Sequence, residues 1–344
     1  MVYNLVDIFT FFLRDLLSNS FLPVLEAAIG VGSTFEGWSP QEKDRIYHLL
    51  MPLKPPHGHA FHPELIDAGV GPARNFCIRV EPVCTCTDEQ LAEKMLCFLH
   101  HPEEELRRNQ EPSLQDTLCT GSYLDVHKTA RWFHQLVKAS WAHSPLSSQW
   151  HMTLLPSSRS CRFQLTKDNT KKLNIEMMFG VRQGFSDLFL SSESTADIFT
   201  SSTMWPESYA VAEVAFFRHM ARQVPHNSCH LKCLQVCAHI LVGTAFSTST
   251  MKTVVMHLLT TLPVSCWHRR DLLLQLQDIT QYLRCCVENK CLDHFFFGNG
   301  NVPDEVVLPL ALRTAEPLNL FQHLAQDPDA HAEALRELTD LQDR

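Results

Sequence analysis

No long block of basic residues appears in this 344-residue chain, whose formal charge is −9, from 29 Lys and Arg against 38 Asp and Glu. A field of that sign does not favour nucleic acid or an anionic membrane surface, so no nucleic-acid partner is expected. The cations come in small groups, such as Lys167, Lys171 and Lys172, or His268, Arg269 and Arg270, which read as solvated surface. An uncharged apolar run is also lacking. The most membrane-like stretch, "VYNLVDIFTFFLRDLL", holds Asp7, Arg14 and Asp15 within sixteen residues, which bars a bilayer span as written. It has no basic start or small-residue cleavage site of a secretory signal. The Gly-x-Ser-x-Gly nucleophile elbow is absent, which disfavours a serine hydrolase.

Thiols are present in number. Thirteen cysteines, odd in count and irregular in spacing, with Cys285 beside Cys286, fit a reducing compartment rather than a disulfide-stapled secreted module. Hydrophobic residues make up 45% of the chain, enough for one large domain or two joined ones. On its own residues the chain reads as a soluble folded domain.

The opening segment has Leu5, Ile8, Phe9, Phe12, Leu13, Leu16 and Leu17 spaced three and four apart, an amphipathic helix. Strand signals follow at "RIYHLLMPL", "NFCIRVEPV", "HMTLLP", "CRFQL" and "LNIEMMFGV", with helical patterns over 88–110 and 121–142. "KPPHGHAFH" reads as a surface turn carrying His57, His59 and His62. From 205 onward the pattern is helical: "WPESYAVAEVAFFRHMARQ", "SCHLKCLQVCAHILV", "TSTMKTVVMHLLTTL" and "RRDLLLQLQDITQYLRCCVEN", with Ser228 and Asp271 as N-caps. The expected division is an α/β part over 1–200 with an N-terminal helix, a helical part over 201–325 and a polar helical tail over 326–344 that leads out of the domain. The seam falls in the low-complexity "SSESTADIFTSST".

Nucleotide transfer needs two divalent ions held by carboxylates from neighbouring strands, with small-residue backbone cradling a triphosphate. Those parts occur here in order. Gly32 permits close approach, and Ser33 can offer a hydroxyl and an amide to phosphate. Glu42 and Asp44 stand two apart, facing one way if on a strand, and Glu176 alternates against Leu173, Ile175, Met177 and Phe179. The bland readings are a common turn for Gly32-Ser33, an exposed polar start for "SPQEKDR" and the wet face of an edge strand for Glu176.

Taken together, "GSTFEGW", "EKD" and "LNIEMM" resemble the Gly-Ser loop, paired acids and third-acid strand of the Mab-21-like nucleotidyltransferase-fold superfamily, to which cyclic GMP-AMP synthase belongs. "MKTVVMHLL" and "CWHRRDLLLQLQDITQYLRCCVENKCLDHFFFGNGNV" resemble its closing helices. Within it, "AIGVGSTFEGWSP", "SCHLKCLQV", "LRCCVENKCLDHFFFGN" and "LRTAEPLNLFQHLAQDP" resemble the inositol trisphosphate receptor-interacting protein family over nearly the whole chain. The resemblance implies an α+β fold: a bilobal nucleotidyltransferase-like domain with an N-terminal mixed sheet lobe and a C-terminal helical lobe. It also implies a single-pass membrane protein, spanning upstream of these residues, that engages a membrane receptor or channel of the inositol trisphosphate receptor kind and acts in signalling.

Against the active pattern, Lys43 and Arg45 replace apolar residues around the paired acids, and Glu176 is one methylene longer than the usual Asp. A cation beside a two-ion site opposes it by repulsion. The leading expectation is therefore a non-catalytic relative. The alternative is a metal-dependent nucleotidyltransferase making a nucleotide second messenger, with Mg held by Glu42, Asp44 and Glu176 and the triphosphate by Gly32 and Ser33. His226, Cys229, Cys233 and Cys237 fall near a zinc element of the synthase. Four donors mostly on one helix diverge, however, and buried free thiols are the stronger reading. Phe295, Phe296 and Phe297 read as a core plug, and Trp38, Trp141 and Trp150 as core or rim.

Overall fold

The computed structural model describes residues 10–11, 22–39, 45–67, 74–84, 99–100, 113–168, 171–193, 201–241, 244 and 246–342. Among these residues twelve strands form one sheet: β1 (Val24–Leu25), β2 (Ile29–Val31), β3 (Ile46–Lys54), β4 (His59–Asp67), β5 (Asn75–Pro82), β6 (Cys119–Thr120), β7 (Tyr123–Leu124), β8 (His151–Leu155), β9 (Cys161–Lys167), β10 (Lys171–Arg182), β11 (Phe189–Ser191) and β12 (Met204–Ser208). The main path runs β1-β3-β10-β11-β12-β5-β7-β6, while β2 joins β3, β4 joins β5, and β9 joins β10 and carries β8. β3 and β10 run parallel; the other pairings are antiparallel.

β10 lies at the centre because its alternation demands it. Leu173, Ile175, Met177 and Phe179 share one face and are buried, whereas Asn174 and Glu176 share the other. Among the described residues the helices between the first and final strands are α1 (Ser33–Glu36), α2 (Leu114–Leu118) and α3 (Val126–His143). α3 buries Val126, Ala130, Phe133 and Val137 at helical spacing, and the Phe133 ring meets Phe179 edge-on at 5.0 Å. Its cap, Asp125, accepts the Lys128 amide at 3.0 Å and the hydroxyls of Thr120 and Ser202 at 2.7 Å each.

Beyond β12 come α4 (Ala210–Gln223), α5 (His230–Ile240), α6 (Thr248–Thr261), α7 (Leu272–Glu288), α8 (Leu310–Arg313), α9 (Gln322–Gln326) and α10 (Pro328–Gln342). They enclose a second apolar core that includes Phe216, Val254, Trp267, Ile279, Leu283 and the buried Phe295, Phe296 and Phe297, so the phenylalanine run is a core plug as expected. Where β12 gives way to α4, the buried Glu207 carboxylate accepts from Arg74 Nη2 at 2.7 Å, Arg74 Nε at 3.0 Å, Gln183 Nε2 at 2.9 Å and the Tyr209 hydroxyl. Burial and the neighbouring Glu207 charge hold the Tyr209 hydroxyl well above the usual phenol range.

The molecule is thus mixed α+β, as the sequence led one to expect, with local corrections. "MWPES" is strand, not helix, because Trp205 fills the sheet core. The helix expected over 121–142 starts at Val126, after a strand that ends at Leu124. "HAFH" opens β4, with His59 buried and His62 Nε2 3.2 Å from Glu81, so this stretch is more than a surface turn. The N-cap of α5 is Cys229 instead of Ser228, and Asp271 occupies the cap of α7 without a side-chain bond. α10 does not lead away from the body: Ala334 and Leu338 are buried in the helical core, and His331 Nε2 lies 2.9 Å from the Val287 carbonyl. The opening-helix residues Leu5, Ile8, Phe9, Phe12, Leu13, Leu16 and Leu17, and nearly all of 88–110, lie outside the described residues.

Candidate functional site

Gly32 has φ 77°, the left-handed region that favours glycine, and its carbonyl accepts the amides of Phe35 and Glu36 at 3.0 Å each to start α1. Two residues earlier Gly30 is needed for space, since a Cβ there would lie 2.5 Å from the Phe35 ring. The Ser33 carbonyl closes the turn on Gly37 and Trp38, and the Thr34 hydroxyl donates to the Ile46 carbonyl at 2.8 Å. The loop is therefore stapled to β3. A Cβ placed on Gly32 would sit 3.5 Å from His48 Nδ1, which puts the loop beside the strand pair that carries His48 and Glu176.

Glu176 is the third acid predicted, and its surroundings are positive. Ser160 Oγ donates to Oε1 at 2.6 Å, while Arg162 Nε and His48 Nε2 stand 3.5 and 3.6 Å from Oε2. Register explains the grouping: Glu176 lies opposite Arg162 on β9 and His48 on β3. Burial, aided by Arg162, lowers the His48 pKa, and Glu176 only partly offsets this. The Glu193 carboxyl is pushed up by surrounding protein and by the charges of Glu176 and Glu213, so these three acids share one neighbourhood.

Behind the loop lies a second ionic group that sequence reasoning missed. Lys252, on α6, stands 3.1 Å from Glu36 Oε1 and pairs with Glu213 of α4; Trp38 Nε1 donates to Glu36 Oε2 at 2.6 Å. The Glu36 side chain is fully buried. Burial alone would strip the Lys252 proton, but the two carboxylates outweigh it and hold the ammonium above its usual range. Burial raises the Glu36 pKa, with Lys252 opposing and Glu213 assisting. The signal was available, since Lys252 is one cation in the apolar run "MKTVVMHLL" and Glu36 is one acid in "GSTFEGW".

Glu42, Lys43 and Asp44 lie outside the described residues, and Arg45 is exposed. The structure thus brings Gly32, Ser33 and Glu176 into one region and leaves the paired acids undescribed. Among the described residues no group of three or more His, Cys, Asp or Glu is placed to hold a metal ion. Glu176 fits such an ion poorly, because the Arg162 guanidinium already stands beside Oε2 and Ser160 donates to Oε1. Cys229, Cys233 and Cys237 are buried in the helical core, where burial pushes the Cys237 thiol up to about 12, and His226 is exposed. The described cysteines are free thiols.

Fold and site together define a mixed α+β protein in which a Gly-Ser turn is locked between a sheet and a helical core. No family model matches the chain. Over 329 residues it is 35% identical to inositol 1,4,5-trisphosphate receptor-interacting protein-like 1 of Rattus norvegicus, an alignment covering 93% of this chain and 60% of that protein. It is 31% identical over 327 residues to the mouse inositol 1,4,5-trisphosphate receptor-interacting protein, covering 87% of this chain and 58% of the relative. The human protein of that name is 29% identical over 338 residues, 90% of this chain and 60% of the relative. The chain is thus similar to the inositol 1,4,5-trisphosphate receptor-interacting proteins over most of its own length, and it spans about 60% of the length of the curated relatives it matches. No helix among the described residues is long and apolar enough to cross a membrane.

Proposed function

We propose that this chain is a non-catalytic nucleotidyltransferase-like domain of the Mab-21-like kind, in which a sheet lobe (1–200) and a helical lobe (201–325) with its tail (326–344) form a scaffold for a membrane receptor or channel. The relatives' names support an inositol 1,4,5-trisphosphate receptor as that partner, and signalling at a membrane as the setting. The single observation that carries the non-catalytic reading is the company of Glu176. A carboxylate that accepts from Ser160 and stands 3.5 Å from the Arg162 guanidinium is already compensated, and a divalent ion there would have to displace that cation.

The competing reading, a nucleotidyltransferase using Mg with Glu42, Asp44 and Glu176, is favoured by the position of Glu176 on the strand pair beside the Gly32 loop. One pair of experiments separates the two. Purified chain is added to purified inositol 1,4,5-trisphosphate receptor in nanodiscs and binding is read by interferometry; saturable binding is expected, and its absence overturns the receptor assignment. The same preparation is incubated with Mg or Mn and mixed nucleoside triphosphates. A product that disappears in Asp44→Asn would overturn the non-catalytic reading.

A further inference from the structure

Away from the Gly-Ser loop, a cavity of about 640 Å³ opens between the first turn of α6, α9 and α10, a size suited to a small molecule. Its walls are Tyr209, Phe246, Phe321 and Leu324, with His294 among the lining residues. Phe246, Phe321 and Leu324 expose little else, so the apolar surface they do show is turned to this space. Ser249 and Thr250 line it too.

His294 supplies a fixed polar contact. Its Nδ1 accepts the Phe296 amide at 3.3 Å, which puts the proton of the neutral ring on Nε2. Burial, reinforced by His257, lowers its pKa to about 3, so the ring is neutral throughout the physiological range. Aromatic neighbours lock its orientation, with the Tyr209 centroid at 4.5 Å and the Phe297 centroid at 5.0 Å. Charge then limits the ligand class. No Lys or Arg lines the cavity; besides Tyr209 and His294 its titratable side chains are His323 and Glu333, and Glu333 is paired with Arg336. A phosphate or carboxylate would find no lysine or arginine in the lining to compensate it.

We infer that this cavity binds an uncharged, predominantly apolar ring compound that carries a hydrogen-bond acceptor for the imidazole N–H of His294. The site is separate from the receptor-interaction reading and does not depend on it.

The test uses the full chain at neutral pH with Nile red, a neutral planar dye bearing a carbonyl acceptor. Saturable one-to-one binding with a blue-shifted emission is expected, with ATP and inositol 1,4,5-trisphosphate unable to displace the dye. Ser249→Trp, at an exposed position, should plug the opening and weaken binding at least tenfold. Glu333→Trp, on the exposed face of α10, is a second plug should the first variant fail to fold. His294→Phe keeps a ring and removes the donor, with an expected loss of about three- to tenfold. Leu273→Ser, at the exposed leucines of α7, should leave the affinity unchanged. Unsaturable binding, displacement by either phosphate compound, full affinity in a folded plug variant or loss of binding in Leu273→Ser would each overturn the inference.

Discussion

Two carboxylates flank the Gly-Ser turn and live in opposite surroundings. Glu176 lies on a sheet face that is still partly wet and meets Ser160, Arg162 and His48 side by side. Glu36 lies in the interior and meets one ammonium that it shares with Glu213. The first arrangement tolerates loss of a partner, because water can take its place. The second does not, because a buried charge without its counter-ion has nowhere to turn. The buried ionic anchor of the turn is therefore behind it, on the helical side, beside the Thr34 bond that staples it to β3.

The largest expected effect comes from removing the shared cation. Lys252→Met leaves Glu36 and Glu213 facing each other in a dry site, and urea denaturation should show a loss of about 3–5 kcal/mol. A loss under about 1 kcal/mol would mean that packing, not charge, joins α1 to α4 and α6. A second test sets the pH response of the interior. Burial holds His230 neutral, with its pKa lowered to about 4, and His294 with its pKa lowered to about 3. Unfolded imidazoles titrate near 6.5, so between about 6.5 and 4 the unfolded state binds more protons and stability falls as pH falls. At pH 5 each ring should cost about 2 kcal/mol relative to pH 7.5, and His230→Leu should abolish its share of the slope in denaturation curves taken at both values. The smallest effect is expected at the sheet face. Glu176→Gln should change stability by less than about 1 kcal/mol in the same assay, since partly exposed ion pairs contribute little. A loss as large as that of Lys252→Met would erase the contrast between the two sites.

Strands were legible where one face alone is buried. The alternation of Leu173, Ile175, Met177 and Phe179 announced β10, and the hydrophobic run from Ile46 announced β3. "MWPES" was misread because Trp205 and Pro206 precede a long helix without a break in polarity, and only sheet pairing separates them. At the site, Gly32, Ser33 and Glu176 were found by residue type and order. His48, Ser160 and Arg162 were not, because strand register brings them together from positions 48, 160 and 162. Lys252 and Glu36 lie 216 residues apart, and each carried a local hint, a charge in an apolar run, without a clue to its partner. The docked tail escaped notice because α10 places only Ala334 and Leu338 deep in the core, a thin stripe in a polar helix.

The Tyr209 ring forms part of the cavity wall, while its hydroxyl donates to the same Glu207 carboxylate that anchors Arg74 and Gln183. That residue is a lever with one arm in each half of the molecule. Anything that tilts the ring to make room must withdraw a donor from Glu207. Glu207 in turn holds Arg74, just before β5, and Gln183, just after β10, so one carboxylate ties the cavity wall to two strands of the sheet.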